Sequence, residues 1–464
     1  MGMETTFTEN PAEFFGKDNF AAHQLPRDEV ETQQIQALNA RFQSLKGHIS
    51  PLGVLADAQK ITTLEKLEDV LLLLFPHTIY KSYPETLLLE GRYDKMTEWL
   101  SHLTSVDLSA FKENNYPTMD DWMDQMDDQT DLSIVHSSGT TGNMSFFPRG
   151  KVEMEALHSI SSMGLNDKME KAYRLGDRPN TFIWTAHAGG RAAILRGVPI
   201  IIDILTENES AFFPLIPAIM SADHQHYVMR CRNLLEQGIK AAPEPSEYVR
   251  MRVEEAFHIH EDILMLYDQL LDVIAAAKYK SHVCLIGAPA IVHKLVSRGL
   301  EKGMENMLRP ESYVLTAGGF KNNPDVPTLV DDVNRFTGPN MISRDLYGMT
   351  ELLSSFRSCT KGHFHVPPWV VAFVLDPKTG KARPRKGRQQ GRAAFFDFLI
   401  STYWGGVVTG DLIDVDYGVC GCGRNTPFIR PGITRLSDDS HPLPGEMDQK
   451  AWTAALNVMT EKVT

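Results

Sequence analysis

The amino-acid sequence predicts an α/β fold, with largely parallel sheets flanked by helices and a β-rich lobe after them. Between about residues 131 and 365, short β-like runs alternate with long stretches of helical periodicity, the order expected of parallel strands joined by helical crossovers. From about 366 the pattern changes to shorter β-like pieces separated by turn residues. A length of 464 residues, 42% hydrophobic and 23% charged, suits a globular chain with a sizeable core.

Taken in order, residues 1–130 read as a helical entry segment. "DEVETQQIQALNARFQSLKGH", "LEKLEDVLLLLF" and "KMTEWLSHLTSV" carry apolar residues near helical spacing. "PTMDDWMDQMDDQTD", with six aspartates, reads as a solvated stretch. Residues 131–365 form the α/β core, in which "LSIVHSS" is a strand followed by a helix from about 151. "VPIIIDIL" at 198–205 reads as a further β-like run before helices through 275, and "HVCLIGAP", "SYVLTAGG" and "MISRDLYG" follow. Residues 366–437 make the β-rich lobe from "VVAFVLD", "AAFFDFL" and "GVVTGDLIDVDYG", with "PKTGKARPRKGRQQG" as a solvated hairpin or linker. Residues 438–464 are a short tail.

Several function classes are excluded at this level. A balance of 46 basic against 59 acidic residues leaves −13, and no basic stripe offsets it, so nucleic acid is not expected as a partner. The apolar runs "VLLLLF" and "VPIIIDIL" are far shorter than the ~20 residues a membrane helix needs. The acidic, polar start lacks the pattern of a secretory signal, and five scattered cysteines do not make a disulfide framework; a cytoplasmic location is expected.

The chemistry concentrates in a few short motifs. In "HSSGTTGNMS", Gly139 and Gly142 permit positive φ, while Ser137, Ser138, Thr140 and Thr141 offer hydroxyl and amide donors, a suitable cradle for a phosphate chain. No lysine follows the second glycine, so this is not a P-loop. "TAGGFK" lies at 316–321, "DLYGMTE" at 345–351 and "TGD" at 409–411.

These four motifs, in this order over roughly residues 130–440, resemble the adenylate-forming superfamily of acyl-CoA synthetases, adenylation domains and luciferases. The form "SSGTTG…GGFK…YGMTE" is most similar to the phenylacetate-CoA ligase branch and the acyl-protein synthetases of bacterial bioluminescence. The resemblance implies a large domain with two mainly parallel sheets flanked by helices plus a β-rich lobe. It implies ATP and Mg²⁺ as cofactors. Ser137 to Gly142 would then hold the ATP β- and γ-phosphates, and Gly318, Gly319 and Phe320 would border adenine and the acyl pocket. Tyr347, followed by Gly348, would stack on the base with Asp345 near its amino group. Thr350 would bond the α-phosphate, Glu351 would ligate Mg²⁺, and Asp411 would accept from the ribose hydroxyls. In "TFIWTAHAGGRAAILRG", His187 or Trp184 would approach the acyl group, and the small Ala317 and Gly318 would leave room beside it. Donors and a cation arranged around developing phosphoryl charge suffice for this chemistry without a covalent nucleophile.

Two HxH pairs, His224 with His226 and His258 with His260, lie in helical surroundings, where residues two apart do not face one site; both read as incidental. Cys359, His365, Cys420 and Cys422 are different. "CTKGHFH" and "CGCGR" would bring three cysteines and a histidine together as a structural zinc site, with His363 as a substitute ligand.

The sequence departs from the family in two places. Met144 and Ser145 stand where Pro-Lys usually continues the phosphate loop, leaving Arg149 as the nearest cation. "ITRLSDD" at 433–439 resembles the hinge before the family's C-terminal lid, with Arg435 in place of its ribose-binding arginine, yet 25 residues follow, so the lid is expected to be truncated. Lys450 and Lys462 of that tail read as surface lysines. The activity expected is ATP-dependent conversion of a small carboxylic acid into an acyl- or aryl-adenylate and pyrophosphate. Transfer would follow to a thiol, of a carrier protein, an acyl-acceptor enzyme or CoA, or to an amine. The alternative is a non-catalytic subunit that binds nucleotide or acyl-adenylate and needs a partner to supply the lid.

Overall fold

The computed structural model describes residues 6–111, 116–139, 143–165, 180–240, 243–310, 312–319, 327–338, 342–436 and 442–460. Along the chain the strands are β1 (Phe75–Pro76), β2 (Leu132–His136), β3 (Phe146–Gly150), β4 (Asn180–Gly190), β5 (Phe212–Met220), β6 (His282–Gly287), β7 (Tyr313–Ala317) and β8 (Ile342–Tyr347). The second half adds β9 (Phe356–Arg357), β10 (Phe364–His365), β11 (Val370–Leu375), β12 (Arg388–Asp397), β13 (Gly406–Asp416), β14 (Phe428–Ile429) and β15 (Thr434–Arg435). The chain forms two compact units, one of Met1–Ile160 with Thr350–Thr464, the other Ser161–Met349.

The first unit begins with the expected helices. In Arg27–Leu45, Val30, Gln34, Leu38, Phe42 and Leu45 fall on one buried stripe. Met119–Gln129 is capped by the Thr118 hydroxyl, which accepts from Asp121 N, and it turns Trp122, Met123 and Met126 inward while Asp121, Asp124 and Asp128 stay in water. The run "VLLLL" has no polar face to solvate, and it forms a short 3₁₀ segment, Leu67–Leu73, feeding β1. β1 adds in parallel to β13, Phe75 opposite Val407. Around β13 the sheet runs β10-β14-β13-β12-β11, with antiparallel pairs along that path. Ala393, Ala394, Phe395 and Phe396 are all buried, so β12 is covered on both faces. β2 pairs antiparallel with β3 as a separate ribbon.

The helix Gln449–Thr460 packs on Ser50–Ala58 and buries Ala451, Trp452, Ala455 and Met459, with the Trp452 ring 6.3 Å from Phe75. The residues read as a tail are therefore part of this core, and Lys450 is exposed. Lys462 lies outside the described residues. The buried Glu153 carboxylate, in the first turn of Lys151–Leu165, accepts from Gly150 N, Ser401 N and Thr402 N at 2.8, 2.6 and 2.7 Å.

The second unit is a parallel sheet in the order β5-β4-β6-β7-β8. One buried cluster includes Leu270, Ile274, Leu285, Leu295 and Phe336; another includes Phe182, Trp184, Leu195, Val198 and Tyr313. Two local expectations change here. "VPIIIDIL" is a helix, Val198–Leu205, begun by Pro199 in its first turn, where the missing N–H costs nothing. The strands in that region are instead β4 and β5; β5 lies at the sheet edge, where Pro214 and Pro217 are tolerated and where they mask its strand character in sequence.

Because β5 lies on one side of β4 and β6 on the other, the chain changes direction across the sheet between β4 and β6. The carboxyl ends of strands at such a switch point are where open α/β sheets take ligands. Close backbone approach is required there: a Cβ at Gly287 would lie 1.6 Å from Thr185 Oγ1.

Candidate functional site

In the second unit, the parallel register sets Thr316 opposite Asp345 and Ala317 opposite Leu346, so the "TAGG" and "DLYG" segments leave the sheet side by side. Gly318 and Gly319 have φ of +84° and +57° and are exposed, and nothing lies within 4 Å of a Cβ built on Gly319. Asp345 Oδ1 accepts from Thr316 Oγ1 at 2.9 Å and from Leu346 N at 3.0 Å. Burial raises the proton affinity of this carboxyl, and those two donors oppose the rise. Tyr347 is half-buried and Gly348 exposed; Phe320 lies outside the described residues.

At the carboxyl end of β4, Trp184 is a core residue whose indole Nε1 donates to His187 O at 2.8 Å, propping that backbone from below. His187 is half-buried and faces a small cavity with Met220, Ser221, His224, Arg252 and Glu255. Burial lowers its pKa, as does neighbouring His224, while Glu255 opposes. Ser221 caps the helix Ala222–Glu236 through His224 N, which turns His224 toward His187. His224, read from sequence as incidental, lines the same small cavity as His187, and the Ser221 cap fixes where its turn points. His226 is lowered to about 4 by burial, with Arg230 adding to it. His258 and His260 are exposed.

In the first unit, Ser137 closes the base of the hydroxyl-rich loop: its N donates to Ser145 O and its Oγ accepts from Ser145 N, both at 2.9 Å. Gly139 has φ +67°. Ser138 is half-buried, and Thr140, Thr141 and Gly142 lie outside the described residues. Arg149, the nearest cation after the loop in sequence, is buried beside the Thr350–Glu351 turn. Its Nη2 donates to Thr350 O and Leu352 O at 3.0 and 2.8 Å. Asp397, also buried, accepts from Leu353 N and Ser354 N at 3.0 and 2.7 Å, so the segment is braced through its carbonyls and its amides.

Glu351 stands within electrostatic reach of Asp411, Arg435 and Arg149. Burial raises its proton affinity, Asp411 raises it further, and the two arginines oppose. Asp411 is opposite Arg435 in the β13–β15 register, with Arg435 Nη1 3.9 Å from Asp411 Oδ1.

Cys359, His365, Cys420 and Cys422 offer one ligand atom each, all within 4.8 Å of one another. Cys359 Sγ is 3.9 Å from Cys420 Sγ, and Cys422 Sγ is 3.3 Å from His365 Nε2. A tetrahedral zinc with bonds of ~2.3 Å to sulfur would set sulfurs about 3.8 Å apart. Burial pushes the Cys420 thiol up to about 12. Burial would raise Cys422 too, but the guanidinium of Arg424 at 3.4 Å brings it below its ordinary value. His363 Nδ1 is 3.3 Å from Cys420 Sγ, but its ring stacks on Phe428 and it stands outside the four-atom cluster.

Residues 249–433 match the family described as acyl-protein synthetase, LuxE. The chain is 31% identical over 199 residues to a long-chain-fatty-acid–luciferin-component ligase of Vibrio harveyi, covering 40% of this chain and 50% of that one. It is also 31% identical over 140 residues to the ligase of the same name from Aliivibrio fischeri, covering 29% and 36%. The chain thus spans half or less of the length of these relatives. Among solved structures, 2-hydroxyisobutyryl-CoA ligase in complex with 2-HIB-AMP and CoA has the same fold, with a TM-score of 0.55 at 14% identity over 90% of this chain and 70% of that one. Its open conformation gives 0.53, covering 90% and 77%. Among the described residues, no helix is long and apolar enough to cross a membrane.

Proposed function

We propose that this chain, which has the adenylate-forming fold and resembles the acyl-protein synthetase branch over residues 249–433, activates a carboxylic acid with ATP and passes the acyl group to an acceptor. The observation that carries this reading is the convergence of Glu351, Asp411 and Arg435 from separate segments. Glu351, a buried carboxyl whose proton affinity Asp411 raises, would be relieved by a bound cation, so it suits Mg²⁺, which when bound supplies neutralising charge to the phosphates.

In this reading Ser137 to Gly142 hold the outer phosphates, Thr350 the α-phosphate, and Asp411 with Arg435 the ribose. Tyr347, Asp345, Gly318, Gly319 and Phe320 take the adenine side, and His187 with Ala317 borders the acyl group. A carboxylate oxygen attacks the α-phosphorus, the bond to the bridging oxygen breaks, and pyrophosphate leaves with that electron pair. The acceptor thiol or amine then attacks the acyl carbonyl, losing its proton, and AMP departs. The relatives' names favour a long-chain fatty acid and a protein acceptor. We take residues 131–365 as the nucleotide- and acyl-binding core, entered by 1–130 and followed by the lobe 366–437 and the segment 438–464, and place the enzyme in the cytoplasm. Cys359, His365, Cys420 and Cys422 hold a structural zinc: their spacing fits a tetrahedral ion, and the set is closed, as structural sites are.

Exchange of labelled pyrophosphate into ATP, measured across fatty, aryl and amino acids with Mg²⁺, tests the proposal. One acid class should drive exchange, and Glu351→Ala should lower it at least about 100-fold. Exchange unaffected by Glu351→Ala, or absent with every acid, would overturn it.

A further inference from the structure

The knuckle that carries Cys420 and Cys422 is covered by the start of the chain. The short helix Asn19–Ala22, capped by Asp18, and the two residues after it make four contacts. Phe20 lies under the Arg424 guanidinium at 5.5 Å. His23 O accepts from Asn425 N at 2.8 Å. Gln24 Nε2 donates to Gly423 O at 2.9 Å, and Gln24 O accepts from Asn425 Nδ2 at 3.1 Å. Arg424 in turn reaches Cys422 Sγ.

Beneath these contacts lies a chain of three polar side chains. His365 presents Nε2 to Cys422 Sγ at 3.3 Å and its Nδ1 to Thr426 Oγ1 at 3.3 Å. Thr426 Oγ1 is also 2.7 Å from His23 Nδ1. His23, His365 and Thr426 are all buried. A threonine hydroxyl has one proton to donate, so the chain runs in one direction or the other. If Nε2 of a neutral His365 gives its lone pair to a metal, the proton sits on Nδ1 and is donated to Thr426, whose own proton goes to His23 Nδ1. His23 must then carry its proton on Nε2. Without the metal the reverse order is equally satisfied, with His365 Nε2–H directed at the Cys422 sulfur. Such partners orient a ligand and typically change metal affinity about 10–100-fold.

We infer that Thr426 and His23 are positioning residues for the four-ligand site, and that filling it with zinc is coupled to the seating of residues 18–24 on the Cys420–Thr426 knuckle. This rests on the zinc reading above, and the two fail differently. Zinc affinity of the full chain would be measured by competition with a chromophoric chelator, and cleavage of the N-terminal segment by limited proteolysis with mass detection, before and after stripping. Thr426→Val and His23→Phe should bind zinc about 10–100-fold more weakly, with Thr426→Ser restoring the affinity. Stripping should speed cleavage N-terminal to residue 27 at least about tenfold, and zinc should fix His23 as the Nε2–H tautomer by nitrogen NMR. Wild-type protein that binds no zinc removes the metal reading itself. Tight zinc binding that is unchanged in Thr426→Val, or unchanged cleavage after stripping, removes the coupling alone.

Discussion

Arg149 shows what a side chain's identity conveys and what it omits. In sequence it is the nearest cation after the hydroxyl-rich loop, and both carbonyls it serves belong to residues 350–352, far along the chain. Arg149→Lys keeps the charge and loses the forked reach, leaving buried carbonyls unpaired; we expect about 2–3 kcal/mol of lost stability by urea denaturation. A shift of the urea midpoint no larger than that of a surface Arg→Lys variant would contradict this brace. The proximity of Glu351 to Asp411 and the gathering of the cysteines with His365 could be anticipated in the sequence because each stands in a short motif whose chemistry is local. His224, Asp397 and His23 were not, because what each touches is set by distant chain: Asp397 by Leu353 and Ser354, His23 by Thr426.

Among the elements, β6, β7, β8, β11, β12 and β13 were readable from runs of β-branched and aromatic residues bounded by turns. "VPIIIDIL" was not, since a short wholly apolar run has no period to separate strand from helix, and the proline marks a helix start as readily as a strand edge. At the β4–β6 switch, Gly287→Ala should destabilise the second unit by about 2 kcal/mol or more, and Thr185→Ala in the same chain, which removes the Oγ1 at 1.6 Å but keeps the Cβ at 2.9 Å, should recover only part of it. Calorimetry that finds the single variant as stable as wild type would remove the claimed close approach. His226 adds a pH term. Its ordinary value is 6.5 and burial lowers it to about 4, so the unfolded chain takes up a proton first as pH falls. The stability it contributes is complete above 6.5 and is lost progressively down to about 4, amounting to about 3 kcal/mol. His226→Gln should flatten the plot of unfolding free energy against pH in that window. The helices Ala222–Glu236 and Glu247–Glu261 bury only Ala222 and Val249, and their amides should exchange hydrogen well before those of β12 and β13.

At the scale of the whole molecule, the α/β class followed from patterning, whereas the composition of the first unit from two distant stretches did not. Local periodicity carries no information about the pairing of Phe75 with Val407 or the packing of Gln449–Thr460 on Ser50–Ala58. Since Ser161–Met349 separates the two stretches of unit one, their contacts close a long loop and should be gained late in refolding, by pulse-labelled exchange at the Phe75 amide. The last described helix has a practical reach. Trp452 and Met459 are wedged beside strand and helix residues drawn from the opening quarter of the chain, so residues 449–460 act as a keystone rather than a trailing end. A carboxyl-terminal fusion joined beyond 460 leaves that wedge in place, while trimming back to 448 lays bare the apolar side of Ser50–Ala58 and should yield aggregates in place of soluble protein.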